Sequence, residues 1–174
     1  AEKVAINAVM AGCKPEHMPV VVAAIEAIGD PRWGYHGPGT STGGAAVLVL
    51  VNGPIAQELG INSGDNLFGP GWRANATIGR AVRLVMRNVI GTLPGKLDRS
   101  TLGHPGKYTY VIAENEQDSP WPPVHVERGF RPDQSVVTVV AAEAPHQFYN
   151  QLSNSAEGVL TTLCDDMRIS GNVM

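Results

Sequence analysis

This sequence has few of the residues that point directly to a class of function. Of its 174 residues, only two are cysteines, 6% are aromatic and 17% are charged. Cys13 and Cys164 lie far apart and form no CxxC pair, so neither a redox dithiol nor a zinc knuckle is indicated. The amino terminus also lacks the charged and then apolar pattern of a signal peptide. We therefore expect reduced thiols and a cytoplasmic protein.

Long apolar runs and a concentrated basic face are missing as well. No apolar stretch approaches the ~20 residues that a membrane-spanning helix needs. The net charge is −3, and acidic and basic residues alternate along the chain. Binding to nucleic acid needs clustered positive charge that neutralises phosphates. We therefore expect a small molecule or a protein as partner, and neither a nucleic acid nor a membrane.

What the chain does contain is the composition of a folded domain. The hydrophobic fraction is 43%, and a length of 174 residues suffices to bury a core without disulfides. No internal repeat is visible. We predict a single α/β domain over residues 1–174.

Apolar periodicity predicts the order of helices and strands. Short runs rich in β-branched residues predict strands at about 45–51, 108–113 and 135–142. Helices are predicted at about 2–11, 16–28, 54–59 and 156–169, and a long helix from a cap at Asn75 or Thr77 to Gly91. The first helix is apolar on most of its circumference, which predicts burial. Together the elements predict a small mixed or parallel sheet covered by helices.

Each predicted strand ends in a polar cluster. Ligands of open α/β sheets bind beyond the carboxyl ends of the strands, and acid/base catalysis needs carboxylates and imidazoles in a partly desolvated cleft. Glu114 and Glu116 lie two residues apart, so an extended backbone directs both to one side. Asn52 at the first strand end is predicted either to be structural or to position a substrate. The predicted catalytic acid/base groups are Glu114, Glu116, His125, Glu143 and His146.

The same pool of side chains allows a second interpretation. Histidine and carboxylate groups also bind divalent metals. However, no HExxH or similarly compact spacing occurs, and separated histidines are more often ordinary polar or capping groups. A divalent metal cofactor is therefore the alternative to metal-free acid/base chemistry.

A glycine-rich loop that leads into the long helix predicts an anion site. The segment 69–73 (GPGWR) precedes Asn75 and Arg80, so free backbone N–H groups and arginines come together near a helix start. It is neither a Walker loop nor a GxGxxG fingerprint. The alternative is a tight turn with an Asn cap, and a solvated face shared by Arg80, Arg83 and Arg87. The predicted substrate-binding residues are Asn52, Arg73, Asn75, Arg80, His104, Lys107 and Trp121.

Cys13 is a candidate nucleophile. It lies in a tight elbow before the second helix, close in sequence to Lys14 and His17, and a helix amino terminus lowers the pKa of a thiol. Cysteine is also among the most buried residue types and often only packs. Cys164 lies on the apolar side of the last helix and is predicted to belong to the core.

Several segments resemble a known family. They are NAVMAGCKPEHMPVV, VNGPIAQELGINSG, FGPGWRANATIGRAVRL, TLGHPGKYTYVIAENEQDSPWPPVHVERGF and AAEAPH. The chain resembles a family of largely uncharacterised bacterial proteins related to those with the UGSC selenoprotein-associated domain. Family members are longer at both ends, so this chain resembles their central portion or a separate subunit. No UGSC tetrapeptide occurs here, and the resemblance implies no defined activity.

Two hypotheses of function follow. The first is an enzyme that acts on a small anionic substrate by hydrolysis or elimination, because no motif for a hydride-transferring cofactor is present. The second is a noncatalytic subunit of a larger complex, a homo- or hetero-oligomer, in which the arginine-bearing helix and the tryptophans form an interface.

Overall fold

The computed structural model describes residues 1–169, and the chain divides into two compact units. The first unit runs from Ala1 to Ala144 and contains all three strands; the second begins at Pro145. The predicted α/β class is confirmed, and of the two predicted forms of the small sheet, mixed or parallel, the sheet is mixed. No helix among the described residues is long and apolar enough to cross a membrane.

The central strand of the sheet pairs with its two neighbours in opposite senses. Strand β1 (Ala46–Asn52) lies between β2 (Val111–Ala113), which is parallel to it, and β3 (Val136–Ala142), which is antiparallel. Val51 is level with Ala113, whereas Ala46 is level with Ala142. The residues that follow β1 and β2 therefore lie at the same edge of the sheet, where edge means the border that the ends of the strands form. The residues that follow β3 lie at the opposite edge.

Helices form most of the regular secondary structure of the first unit. They are α1 (Glu2–Ala11), α2 (Met18–Gly29), α3 (His36–Thr40), α4 (Pro54–Glu58), α5 (Arg73–Val85) and α6 (Val124–Glu127). Helix α2 packs against β3 and α5 against β2, and α1 packs on α5. Because valine, isoleucine and alanine dominate these contacts, burial of apolar surface holds the layers together. The shared core includes Val21, Ala24, Val49, Val51, Ile78 and Ala81.

Helix α1 is less buried than its sequence predicts. Only Asn7 and Ala8 are buried, whereas Ile6, Val9 and Met10 are exposed. The prediction of burial on most sides is wrong because α1 forms an outer layer with one packed face, on α5. The buried Asn7 is satisfied there, since its Oδ1 accepts a hydrogen bond of 2.7 Å from Asn88.

Helix α5 begins earlier than predicted, and the helical segment that it starts ends at Gly91, as predicted. Neither Asn75 nor Thr77 caps it, because Trp72 is the extended N-cap residue and makes no side-chain capping bond. The Asn75 side chain instead accepts from Asn62 N–H at 2.9 Å and donates to Val111 O at 2.9 Å. After Val85 the chain continues as a π-helical turn (Met86–Ile90), which stops at the left-handed Gly91.

The second unit contains helix α7 (Ala156–Ile169), where a helix is predicted. Asn150 organises the preceding turn, since its side chain donates to Thr162 Oγ1 at 2.7 Å and accepts from Ser153 N–H at 2.9 Å. Cys164 is exposed, so the prediction that it belongs to the core is wrong. The physical reason is size, because a unit this short encloses little volume.

Glycine at position 79 sets the distance between α5 and β2. A Cβ atom there would lie 2.3 Å from Thr109 Oγ1 and 2.7 Å from Tyr110 N, which is closer than atoms pack. We expect Gly79→Ala to lower the free energy of unfolding by about 1–3 kcal/mol, the usual cost of overpacking a core. Urea denaturation measures this change. Gly29→Ala is the matched control, because nothing lies within 4 Å of a Cβ at the end of α2. Equal stability of the two variants would contradict the role assigned to Gly79.

Candidate functional sites

Two of the predicted acidic residues meet at the edge where β1 and β2 end. Asn52 Nδ2 donates one hydrogen bond to Glu114 Oε2 at 2.5 Å and another to Glu116 Oε1 at 2.8 Å. Glu114 also accepts from Val124 N–H at 2.9 Å, and Glu116 accepts from Gly53 N–H at 2.8 Å. The parallel register of β1 and β2 produces this convergence, because it brings Asn52 level with the residues just beyond Ala113.

His125 completes this group, which we call the Asn52 cluster: Asn52, Glu114, Glu116 and His125. The imidazole is fully buried, and its Nδ1 lies 3.9 Å from Glu116 Oε1, too far for a hydrogen bond. Both ring nitrogens and Asn52 Oδ1 have no hydrogen-bond partner within residues 1–169. Buried polar atoms without partners are rare in folded proteins and call for an explanation.

A small pocket lies against the two carboxylates. Its volume is about 120 Å³, and its other polar walls are Gln57, Ser63, Asn115 and Gln117. Within the described part of the chain, no Lys or Arg forms an ion pair with Glu114 or Glu116. Over the same residues, no group of three or more His, Cys, Asp or Glu side chains is arranged to hold a metal ion.

Glu143, another of the predicted acid/base residues, does not join the Asn52 cluster. Glu143 follows β3, so the antiparallel pairing carries it to the opposite edge of the sheet. His104 lies at that edge too, where Nδ1 accepts from Gly106 N–H and Nε2 lies 3.2 Å from Ala142 O. These contacts place the proton on Nε2 and occupy both nitrogens. His146 belongs to the second unit, and its Nε2 lies 3.2 Å from Asp166 Oδ2.

Basic side chains line a larger depression, which we call the arginine groove. It is formed by Arg80, Arg83 and Arg87 from α5 and its π turn, with Lys107 and Asp98. Its volume is about 580 Å³, and His104, Leu102 and Tyr108 form part of its wall. Because His104 and Lys107 precede β2, the groove and the Asn52 cluster lie towards opposite edges of the sheet.

Asp98 organises the floor of the groove. Its side chain is 6% exposed and pairs with Arg83 Nη2 at 2.8 Å and with Lys107 Nζ at 3.1 Å. Ser100 Oγ donates to Asp98 Oδ1 at 2.8 Å. Burial alone raises the pKa of this carboxyl, but the hydrogen bonds from Arg83, Ser100 and Lys107 outweigh it and hold the pKa well below its usual range.

Of the predicted substrate-binding residues, Arg80, His104 and Lys107 line the groove, and Asn52 lies in the other cluster. The structure does not bring Arg73 and Asn75 to either place. Arg73 Nη2 donates to Gly12 O at 3.0 Å, and Asn75 joins Asn62 to Val111. Trp121 is 73% exposed and lines none of these depressions.

The thiol of Cys13 lacks the activation that its sequence position suggests. Its Sγ donates to Thr77 O at 3.3 Å. Burial raises the pKa of the thiol, and the contact with Thr77 and the charge of Arg73 offset this only in part. The expectation of a lowered pKa is therefore wrong, because desolvation outweighs the helix terminus.

Sequence reasoning missed Asp98 and Ser100 altogether. Asp98 is 15 residues from Arg83 and nine from Lys107, so no local motif joins the three. The only signal was the spacing of Arg80, Arg83 and Arg87, which indicated a shared face without a partner for it.

Comparison of the chain with protein-family models, with curated proteins and with solved structures finds no significant match. The geometry of these two sites therefore provides the grounds for assigning a function.

The buried Asp98 predicts a pH-dependent stability. A carboxyl whose pKa is lower in the folded state than in the unfolded state stabilises the fold above its unfolded pKa, about 4 for aspartate, and this stability is lost as the pH falls towards the folded value. We expect Asp98→Asn to lower the free energy of unfolding by about 3 kcal/mol at pH 7, because it leaves two largely buried cations, Arg83 and Lys107, without an anionic partner. The cost should shrink towards pH 3.

Urea denaturation of both proteins between pH 7 and pH 3 measures this dependence. Asp133→Asn is the control, because its carboxylate pairs with Arg131 on the exposed surface and contributes little. A cost for Asp98→Asn that is independent of pH would show that the charge of Asp98 does not stabilise the fold.

Proposed function

We propose that the protein binds a small anionic molecule in the arginine groove. The observation that carries this proposal is the excess of charge, since four cationic side chains surround a single carboxylate. Asp98 engages only Arg83 and Lys107. The side chains of Arg80 and Arg87 make no hydrogen bond or ion pair with residues 1–169, so their donors are open to a ligand.

The groove suits a phosphate or carboxylate group in particular. A guanidinium presents a rigid fork of donors that matches both anions, and such charge-assisted bonds are roughly twice as strong as neutral ones. The volume of about 580 Å³ lies within the usual range for small-molecule sites. Asp98 fixes Arg83 and Lys107 in place, so part of the binding surface is ordered before the ligand arrives.

An enzyme that works by hydrolysis or elimination is a second candidate function. The observation in its favour is the pair of carboxylates beside a buried imidazole and a pocket, an arrangement suited to proton transfer. The test is a screen of ester and amide substrates with the Glu114→Gln variant as comparison. Turnover that survives this substitution unchanged would remove Glu114 from the reaction.

The noncatalytic subunit, in a homo- or hetero-oligomer, is the rival proposal. The exposed Ile6, Val9 and Met10 of α1 are compatible with it. The native mass of the particle distinguishes the two, because a subunit purifies with further polypeptide. The relationship to UGSC-domain proteins and a metal cofactor stay hypotheses, and neither is needed for binding in the groove.

Anion binding is testable with two arginine variants. We expect inorganic pyrophosphate or citrate to bind the wild-type protein, and Arg80→Gln and Arg87→Gln each to weaken binding about tenfold, since a hydrogen bond to a charged group contributes about 1.5–3 kcal/mol. Isothermal titration calorimetry measures the affinity, which should fall as salt is added. Arg128→Gln is the matched control at an exposed arginine outside the groove. No binding of either anion, or equal binding by all variants, would refute the proposal.

A further inference from the structure

We propose that the Asn52 cluster is a second ligand site, which binds the primary ammonium group of a small amine. This inference does not depend on anion binding in the arginine groove, because the two sites lie towards opposite edges of the sheet. It also does not depend on catalysis, since it concerns only what the pocket recognises.

The first support is negative charge that no basic side chain of the described residues neutralises. Glu114 and Glu116 share the donor Asn52 Nδ2, so their bound oxygens are no farther apart than the two hydrogen-bond lengths, 2.5 and 2.8 Å, added together. The Glu116 side chain is only 25% exposed, and no Lys or Arg within residues 1–169 pairs with either carboxylate. Two carboxylates this close repel each other, and a cation between them relieves the repulsion.

The second support is the set of acceptors left without donors. The second oxygen of each carboxylate makes no hydrogen bond to the described residues. Asn52 Oδ1 is fully buried and unpartnered, and so is the imidazole of His125. A neutral imidazole has one acceptor nitrogen, so the cluster offers four acceptors without donors, and an ammonium group brings three N–H donors and no acceptor.

The third support is the gap between His125 and Glu116. Their facing atoms, Nδ1 and Oε1, are 3.9 Å apart, which is too long for a direct hydrogen bond and too short for an intervening side chain. An ammonium nitrogen beside these two atoms, off the line that joins them, can lie within hydrogen-bond distance of both. The fully buried, unpartnered His125 next to Glu116 therefore supports a donor at this position.

The pocket itself limits the size of the amine. Its volume of about 120 Å³ accommodates a few heavy atoms, since one water molecule occupies about 30 Å³ in the liquid. Gln57, Ser63 and Gln117 are neutral, so they offer no second charge to the ligand. A short alkylamine fits this description better than a polyamine or an amino acid.

The experiment is an NMR titration of the ¹⁵N-labelled protein at pH 7. The probe is n-propylamine, and the reporters are the backbone amides of Gly53 and Val124, which donate to the two carboxylates. Tetramethylammonium chloride carries the same charge without an N–H group, and magnesium chloride tests a metal ion in the same place. Inorganic pyrophosphate, added separately, reports on the arginine groove through other signals.

We expect n-propylamine to shift both reporters saturably, and tetramethylammonium to leave them unchanged. Glu114→Gln and Glu116→Gln should each weaken the amine at least about tenfold, because a charge-assisted bond is lost. Glu127→Gln is the matched control, with the same change of charge at an exposed site on α6. Both Gln variants should fold, since a Gln carbonyl oxygen still accepts from Asn52.

A stability measurement without ligand tests the repulsion between the two carboxylates independently of their affinity for the amine. In amine-free buffer, Glu116→Gln should be at least as stable to urea as the wild type, because it removes one of two like charges. The proposal is overturned by reporters that do not respond to n-propylamine, by equal amine affinity in all variants, or by a response to magnesium and not to the amine. Failure of pyrophosphate to bind would refute the anion groove and leave the amine site standing.

Discussion

The opposite pairing of β1 with its two neighbours is the constraint on which both candidate sites depend. Parallel pairing with β2 brings Asn52 next to the residues after Ala113, and so creates the Asn52 cluster. Antiparallel pairing with β3 carries Glu143 away to the edge where His104 and Lys107 lie. Had β3 also run parallel to β1, its acidic end would have joined Glu114 and Glu116. The direction of one strand therefore separates a negative site from a positive one.

The sequence predicted those features that local patterns encode. Short runs rich in β-branched residues located the strands, Gly91 marked the end of the long helix, and the spacing of Glu114 and Glu116 indicated a shared side. The direction of β3 could not be predicted, because a half-buried strand shows the same period of two in either sense. Asp98 could not be assigned either, because its partners Arg83 and Lys107 come from other elements. The exposure of α1 was not predicted either, because the sequence shows which residues are apolar but not which elements of the fold cover them.

The two sites handle buried charge in different ways. In the arginine groove, Asp98 receives Arg83, Lys107 and Ser100, so the carboxylate is fully engaged and its pKa is held low. In the Asn52 cluster, two carboxylates receive one amide and two backbone N–H groups, and no basic side chain of the described residues reaches them. A buried polar network whose donors and acceptors are all paired makes a fold more rigid, whereas a network with unpaired acceptors can still bind a donor. This contrast is the reason why we interpret Asp98 as a structural support and propose the Asn52 cluster as a ligand site.

The π-helical turn after α5 affects the spacing of two arginines in the groove. Arg87 belongs to this turn, whereas Arg80 belongs to the regular helix before it. A π turn differs from an α turn by one extra residue, and each residue of an α-helix rotates the next by about 100°. Deletion of Met86, the one residue between α5 and Arg87, would therefore turn the Arg87 guanidinium away from the groove and would also remove a core side chain, while α5 itself stayed in register. The spacing of Arg80 and Arg87 thus depends on the length of the helical segment as well as on the residues that it contains.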